Sequence, residues 1–272
     1  MAAESAPPRI IGHGAISTKA PEFAWSETLD GREAYFNRAT LDDSTPSILV
    51  TRRTRDGWSA PEVVPFSGIY RDADPFITAD GARLFFSSNR PRPGEDAVGD
   101  YNLWVVHREG AGWSEPVILP EPINTGETEI YSTLSRDGVL YFNSTRSGHR
   151  LIYRAAPVGE GFGVPELVTL SGPAGERPGN PAISPDGDTL VFVDTGEESP
   201  TAGDLFMSRR RGDRWSMPER LPPPINSEWA DFAPCFSPDG ASLTFTSERP
   251  GLVSTLPEGV RPPGDLYRVA AP

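Results

Sequence analysis

The chain has 272 residues, of which 37% are hydrophobic, with 27 glycines, 30 prolines and a formal net charge of −13 from 25 Lys and Arg against 38 Asp and Glu. That balance argues against a nucleic-acid partner, because phosphate binding needs clustered cations, and no apolar run approaches the roughly 20 residues of a membrane span. The one cysteine, Cys235, can close no internal disulfide and reads as a buried, inert thiol.

The first residues, Met1-Ala-Ala-Glu-Ser-Ala-Pro-Pro8, read as a mature exported start behind an initiator methionine. A periplasmic or secreted location is therefore expected; few cysteines also suit the cytoplasm. Pro8-Arg-Ile-Ile11 followed by Ile16-Ser-Thr18 resembles Pro218-Glu-Arg-Leu221 followed by Ile225-Asn-Ser227. Ile16, Ile123 and Ile225 each stand fourteen residues before an Asp-Gly pair. Those pairs, at Asp30, Asp80, Asp137, Asp186 and Asp239, are the reference marks of the chain. Asp-Gly suits a tight two-residue hairpin, since Gly takes positive φ cheaply.

Each Asp-Gly is preceded by one apolar run and followed by a second: Glu33-Ala-Tyr-Phe36, Leu84-Phe-Phe86, Leu140-Tyr-Phe142, Leu190-Val-Phe192 and Leu243-Thr-Phe245. A third run follows a variable loop, as at Leu103-Trp-Val-Val106 and Leu266-Tyr-Arg-Val269. A fourth is marked by an aromatic and a proline: Trp58 with Pro61, Trp113 with Pro116, Phe162 with Pro165, Trp215 with Pro218. Proline belongs on an outer edge, where a missing N–H costs nothing. Four short strands per unit, repeated five times, predict an all-β five-bladed β-propeller with four-stranded antiparallel blades. The blades are expected at 19–65, 66–122, 123–171, 172–224 and 225–272, in one domain over 1–272. The fifth lacks its fourth strand, so residues 8–18 should supply it and close the ring.

The Ser-Pro-Asp-Gly turns at Ser184–Gly187 and Ser237–Gly240, with degenerate copies at Asp30, Asp80 and Asp137, resemble the TolB-type, WD-like propeller repeat. Arginines after the second strand, Arg90, Arg146 and Arg249, belong to the same pattern. The resemblance covers nearly the whole chain and implies the fold. It leaves function open, since such repeats occur in scaffolds, peptidase propellers and sugar-processing enzymes.

In a propeller the first strand lines the axis. Eight residues before each turn Asp stand Glu22, Asp72, Glu129, Pro178 and Asp231; six before stand Ala24, Asp74, Tyr131, Asn180 and Ala233. Strand alternation puts Asp72 and Asp74 on one side, so these residues should ring one channel mouth. Crowded carboxylates raise one another's pKa or recruit a cation, here Ca²⁺ or Mg²⁺; they also bond the amides of neighbouring entry loops. The arginines pair with these acids across blades or clamp an anionic ligand. Trp229 and Tyr131 offer aromatic walls, or wedge between blades. His149 is the one candidate base, in a loop where a solvated histidine is the plainer reading. The long loops Arg90–Asp100, Asp194–Gly203 and Arg249–Gly264 share this face.

The ligand-binding set is therefore Glu22, Asp72, Asp74, Glu129, Tyr131, Asn180, Asp231, Arg90, Arg146, Arg249, His149 and Trp229. Neither metal-ligand histidine spacing nor a nucleophile motif is present. The expected function is a monomeric binding scaffold whose acidic face meets a protein, peptide or glycan, with a divalent cation possible at the channel mouth. The alternative is a hydrolase or lyase with Asp72, Asp74, Glu129 or Asp231 as acid, base or metal ligand.

Overall fold

The structure, a computed structural model, describes residues 6–39, 45–172, 176–196, 203–252 and 262–272. The first residues of the predicted exported start, and parts of the Asp194–Gly203 and Arg249–Gly264 loops, lie outside them. Every regular element among the described residues is a strand. Among the described residues no helix is long and apolar enough to cross a membrane.

Five antiparallel sheets form the five blades, as the repeat predicts. In the second blade, Asp72–Ile77, Arg83–Ser88 and Asn102–Glu109 pair in sequence, and Val117–Ile118 lies outermost. The first, third and fourth blades repeat this order from Glu22–Glu27, Glu129–Leu134 and Pro178–Ile183. The fifth, from Asp231–Phe236, takes Arg9–Ile10 as its outer strand, with Arg9 opposite Arg268 and Ile10 opposite Tyr267. Ile11 N–H adds a bond to Leu266 O at 2.8 Å, so the ring closes as expected.

The apolar residues do not form one central core. Among the described residues they divide into five clusters between neighbouring blades, for example Tyr35, Ile48, Ile77, Leu84 and Phe86 between the first and second, and a sixth, small cluster on the axis. The repeated aromatics complete these wedges: Trp113 meets Tyr35 edge-on at 6.0 Å, Phe162 meets Phe85 at 6.1 Å and Trp215 meets Tyr141 at 6.4 Å. Where the fifth blade carries the small Thr244 at the matching position, Trp25 fills the gap against Trp58 at 5.2 Å. The aromatics stand just before the outer strands, which begin after the prolines, at Glu62, Val117, Glu166 and Glu219.

The Asp-Gly hairpins are longer than the two-residue turn predicted. Thr28 N–H bonds Glu33 O at 3.0 Å, leaving 29–32 as the loop, and Gly31 N–H returns to Thr28 O at 2.9 Å. A hydroxyl sets this geometry: Thr28, Thr78 and Ser237 donate to Asp30, Asp80 and Asp239 at 2.7, 2.6 and 2.6 Å. These bonds hold the three carboxyls below the usual aspartate range. The glycine is needed, with φ of 63° at Gly31 and 76° at Gly240.

Candidate functional site

The first strands run from the entry-loop face to the turn face and deliver the predicted site residues to the axis. Each strand carries a bulge at its third and fourth residues: the register shifts between Ala73 and Phe76, and between Ile130 and Thr133, for example. The residue in the bulge is left-handed in all five blades, with φ of 57° at Ala24, 56° at Asp74, 55° at Tyr131, 46° at Asn180 and 49° at Ala233. Such backbone is strained for non-glycine residues and persists where surrounding contacts impose it. Here the preceding blade does so. Asn37 Oδ1 accepts from Asp74 N–H at 2.8 Å, Ser87 Oγ from Tyr131 N–H at 2.9 Å and Asn143 Oδ1 from Asn180 N–H at 2.8 Å.

The bulge overturns the expectation that Asp72 and Asp74 face one way. Ser88 donates to Asp72 at 2.7 Å and Ser87 to Asp74 at 3.3 Å. Ser87 and Ser88 are adjacent on one strand and point to opposite sides, so the two aspartates do as well. Simple alternation fails because Asp74 is itself left-handed, which turns its side chain off the regular pleat.

The four acids of the outer register, Glu22, Asp72, Glu129 and Asp231, are each 0% exposed. Each is held within its own blade. Arg38, Arg90, Arg146 and Arg249 donate to them at 2.7, 2.7, 3.5 and 2.8 Å. The pairs are therefore intrablade, not interblade as the sequence reading had it. Each carboxylate also grips its entry loop: Thr18 N–H and Oγ1 donate to Glu22, Ser67 to Asp72, Thr125 N–H to Glu129 and Ser227 N–H to Asp231. The guanidinium bonds loop carbonyls, Phe66 O for Arg90 and Pro224 O for Arg249, and lies over Phe86 and Phe245. Desolvation pushes the Glu22 carboxyl above its ordinary value, against the Thr18 and Arg38 bonds. In the fourth blade, where Pro178 removes the acid, Asp204 takes a guanidinium from Arg220 at 2.6 Å. The sequence-derived set omits Arg220, which lies on the outer strand, and Arg38, which stands eight residues after its turn aspartate where Arg90 and Arg249 stand ten after theirs.

The inner register lies on the axis. Ala24, Tyr131 and Ala233 pack together there, and the Tyr131 hydroxyl crosses to Pro234 O at 2.7 Å. The small alanines of the first and fifth blades make room for the ring. Asp74, Tyr131, Ser132 and Cys235 surround a void of about 10 Å³, the size of a single water. Burial pushes the Asp74 carboxyl up to about 7 against the opposing Ser87 bond and Arg150 charge. Cys235 is buried, as read from the sequence, and desolvation pushes its thiol to about 12.

The raised Asp74 has a measurable consequence. An unfolded aspartate titrates near about 3.9, so the native state holds the extra proton between about pH 4 and 7, and stability falls as pH rises through that window. Asp265, raised by burial to about 6, adds the same sign over a narrower range. Asp74→Asn should therefore shrink the loss of melting temperature between pH 5 and pH 8. An unchanged loss would remove Asp74 as its source.

His149 is exposed and lies with Arg150, Glu176 and Arg177 around an open depression of about 760 Å³. Trp229 is 36% exposed at the tip of the fifth entry loop. Neither meets the axial residues in a catalytic arrangement. Among the described residues no three His, Cys, Asp or Glu side chains are grouped to hold a metal ion.

The architecture is that of a TolB-like β-propeller. No protein-family model matches the sequence, and no curated protein matches it significantly. Solved structures match in fold. TolB from Acinetobacter baumannii aligns with a TM-score of 0.56 at 15% identity, over 94% of this chain but 56% of its own length. The putative TolB from Agrobacterium tumefaciens aligns at 0.55 and 19% identity over 94% and 92%. An alpha-L-arabinofuranosidase from Lactobacillus brevis aligns at 0.60 and 13% identity over 92% and 90%. The fold thus serves proteins of different activity, and at these identities it is the fold alone that is shared.

Proposed function

We propose that this propeller is a binding module whose entry-loop face recognises a protein or peptide carrying basic and apolar side chains. One observation carries the reading: the loop tips on that face pair exposed apolar residues with exposed acids. Ile69 is 83% exposed, Val98 59% and Trp229 36%. Glu95, Asp96, Asp100, Glu127 and Glu228, on loops of the same face, are exposed as well. Apolar side chains in water favour a partner that covers them, and the acids steer a cationic one. The buried acids are bonded within their blades and serve the fold. The envelope location belongs to the same proposal and rests on the TolB-like fold.

An enzymatic reading rests on Asp74, whose pKa near 7 suits proton transfer, beside the Arg150 charge. The Tyr131 ring across the axis argues for the binding reading.

A peptide array of graded basic and apolar content, read by fluorescence anisotropy, tests the proposal. Basic-apolar peptides should bind, with affinity falling as salt rises. Ile69→Ser with Trp229→Ala should weaken them about tenfold without lowering the melting temperature. A preference for glycans, affinity unchanged in the double variant, or turnover of a bound ligand that Asp74→Asn abolishes would each overturn it.

A further inference from the structure

The sequence directs attention to the entry-loop face, yet a partly open cavity lies at the other end of the axis. On the turn face, residues of all five blades surround a space of about 270 Å³ below the Tyr131 plug. That is the lower end of the size range for small-molecule sites, about 300–1,000 Å³. Its floor is apolar, built from Phe76, Leu134, Ile183, Pro185 and Phe236. Two guanidinium groups from neighbouring blades, Arg83 and Arg136, stand in its lining.

Those arginines differ from the ones on the opposite face. Arg90, Arg146 and Arg249 are spent on buried acids, whereas neither Arg83 nor Arg136 forms an ion pair or side-chain hydrogen bond among the described residues. Arg83 rests over the Phe85 ring at 5.4 Å. Neither acid in the lining bonds these guanidinium groups directly, although Asp80 acts on Arg83, and the nearby Asp186 on Arg136, through its charge. Asp80 accepts from Thr78 Oγ1 and Ala82 N–H, and Glu27 from Trp25 Nε1 and Arg268. The hydroxyls of Ser135 and Ser237 are likewise committed to Asp137 and Asp239. The cavity therefore offers an apolar floor and two guanidinium groups with no carboxylate bonded to them, the complement of a small molecule with an apolar body and one anionic end.

We propose that this turn-face cavity binds a small amphiphilic carboxylate, its ring or branched chain on the Phe76, Leu134 and Phe236 floor and its anion held by Arg83 and Arg136. The site is independent of the entry-loop face: the Tyr131 plug separates the two ends of the axis.

Isothermal titration calorimetry with 3-phenylpropionate, its neutral analogue 3-phenylpropanamide, and acetate tests the assignment on the full chain. The acid should bind, the amide about tenfold more weakly, and acetate not measurably, because each lacks one half of the recognition. Arg83→Gln and Arg136→Gln should each weaken the acid about tenfold and leave the amide unchanged. Ala79→Trp, placing bulk in the lining, should abolish both. Arg55→Gln, on an outer turn, should change nothing. All four positions are at least partly exposed, so an unchanged melting temperature is expected of every variant. No binding of the acid, equal binding of acid and amide, or full affinity in both arginine variants would overturn the proposal.

Discussion

Deleting residues 1–18 is expected to destabilise the protein by more than any single substitution. The deletion removes Ile11 and Ile16, 7% and 0% exposed, from the wedge between the fifth and first blades. Burying an isoleucine is worth about 1.5–3 kcal/mol, so the two together contribute about 3–6 kcal/mol. It also strips the outer strand from Leu266–Val269 and the Thr18 bonds from Glu22. Against a native stability of about 5–15 kcal/mol, that loss populates the unfolded state, and the bared edge invites pairing between copies. Urea unfolding and size exclusion should show a lowered midpoint with oligomers. Ile16→Ala, which leaves the edge covered, should cost about 2–5 kcal/mol and stay unassociated. A truncated protein that melts like the full chain and remains unassociated would show that the ring closes otherwise.

Asp72→Asn has the second-largest expected effect. The carboxylate accepts from Ser67, Ser88 and Arg90, and the Arg90 side chain is 9% exposed. Removing the negative charge leaves a buried guanidinium without its counterion, a loss of about 3–5 kcal/mol. At about 2–4 °C per kcal/mol for a chain near this size, the melting temperature should fall by about 10 °C. The entry loop should loosen with it, seen as faster amide exchange around Ser67. A surface carboxylate such as Glu62 gives the contrast, its pair with Arg52 lying 3.6 Å apart with both side chains largely exposed. If Asp72→Asn melts normally, the acid is free for a ligand and the structural assignment fails.

The fold was legible because its signal is local and repeated. Asp-Gly, with a Ser or Thr two residues before the Asp, specifies a hairpin from within a few residues, and five copies specify the ring. The closing strand was legible because Pro8-Arg-Ile-Ile11 repeats Pro218-Glu-Arg-Leu221. The acids and arginines were also found, but their direction was not. Alternation assumes an unbroken strand, and the bulges at Asp74 and Tyr131 are imposed by Asn37 and Ser87 of preceding blades. No window along the first strand contains those donors and acceptors. The Tyr131 plug depends in the same way on Pro234, 103 residues away. The turn-face cavity was missed because its floor residues read as ordinary strand apolars and its two arginines as solvated turns.

Charge on this molecule therefore has two uses separated by burial. Inside, the carboxylates of Glu22, Asp72, Glu129 and Asp231 are matched one to one with guanidinium groups and bonded to their entry loops. Outside, exposed acids stand on the entry loops and at the turns, Asp30, Asp80, Asp137, Asp186 and Asp239, where arginines such as Arg83 and Arg136 accompany them. The net charge of −13 describes the loops better than it describes the axis.

A double-mutant cycle between Asp231 and Arg249 tests most directly whether the repeated acids hold the blades. Unfolding free energies of Asp231→Asn, Arg249→Met and the double variant would be measured in urea at one pH. The contact at 2.8 Å between a fully buried carboxylate and a largely buried guanidinium predicts strong coupling. The double variant should be more stable than the sum of the single losses allows, by about 1–3 kcal/mol. Strictly additive losses would contradict the account and return these carboxylates to the list of ligand-binding groups.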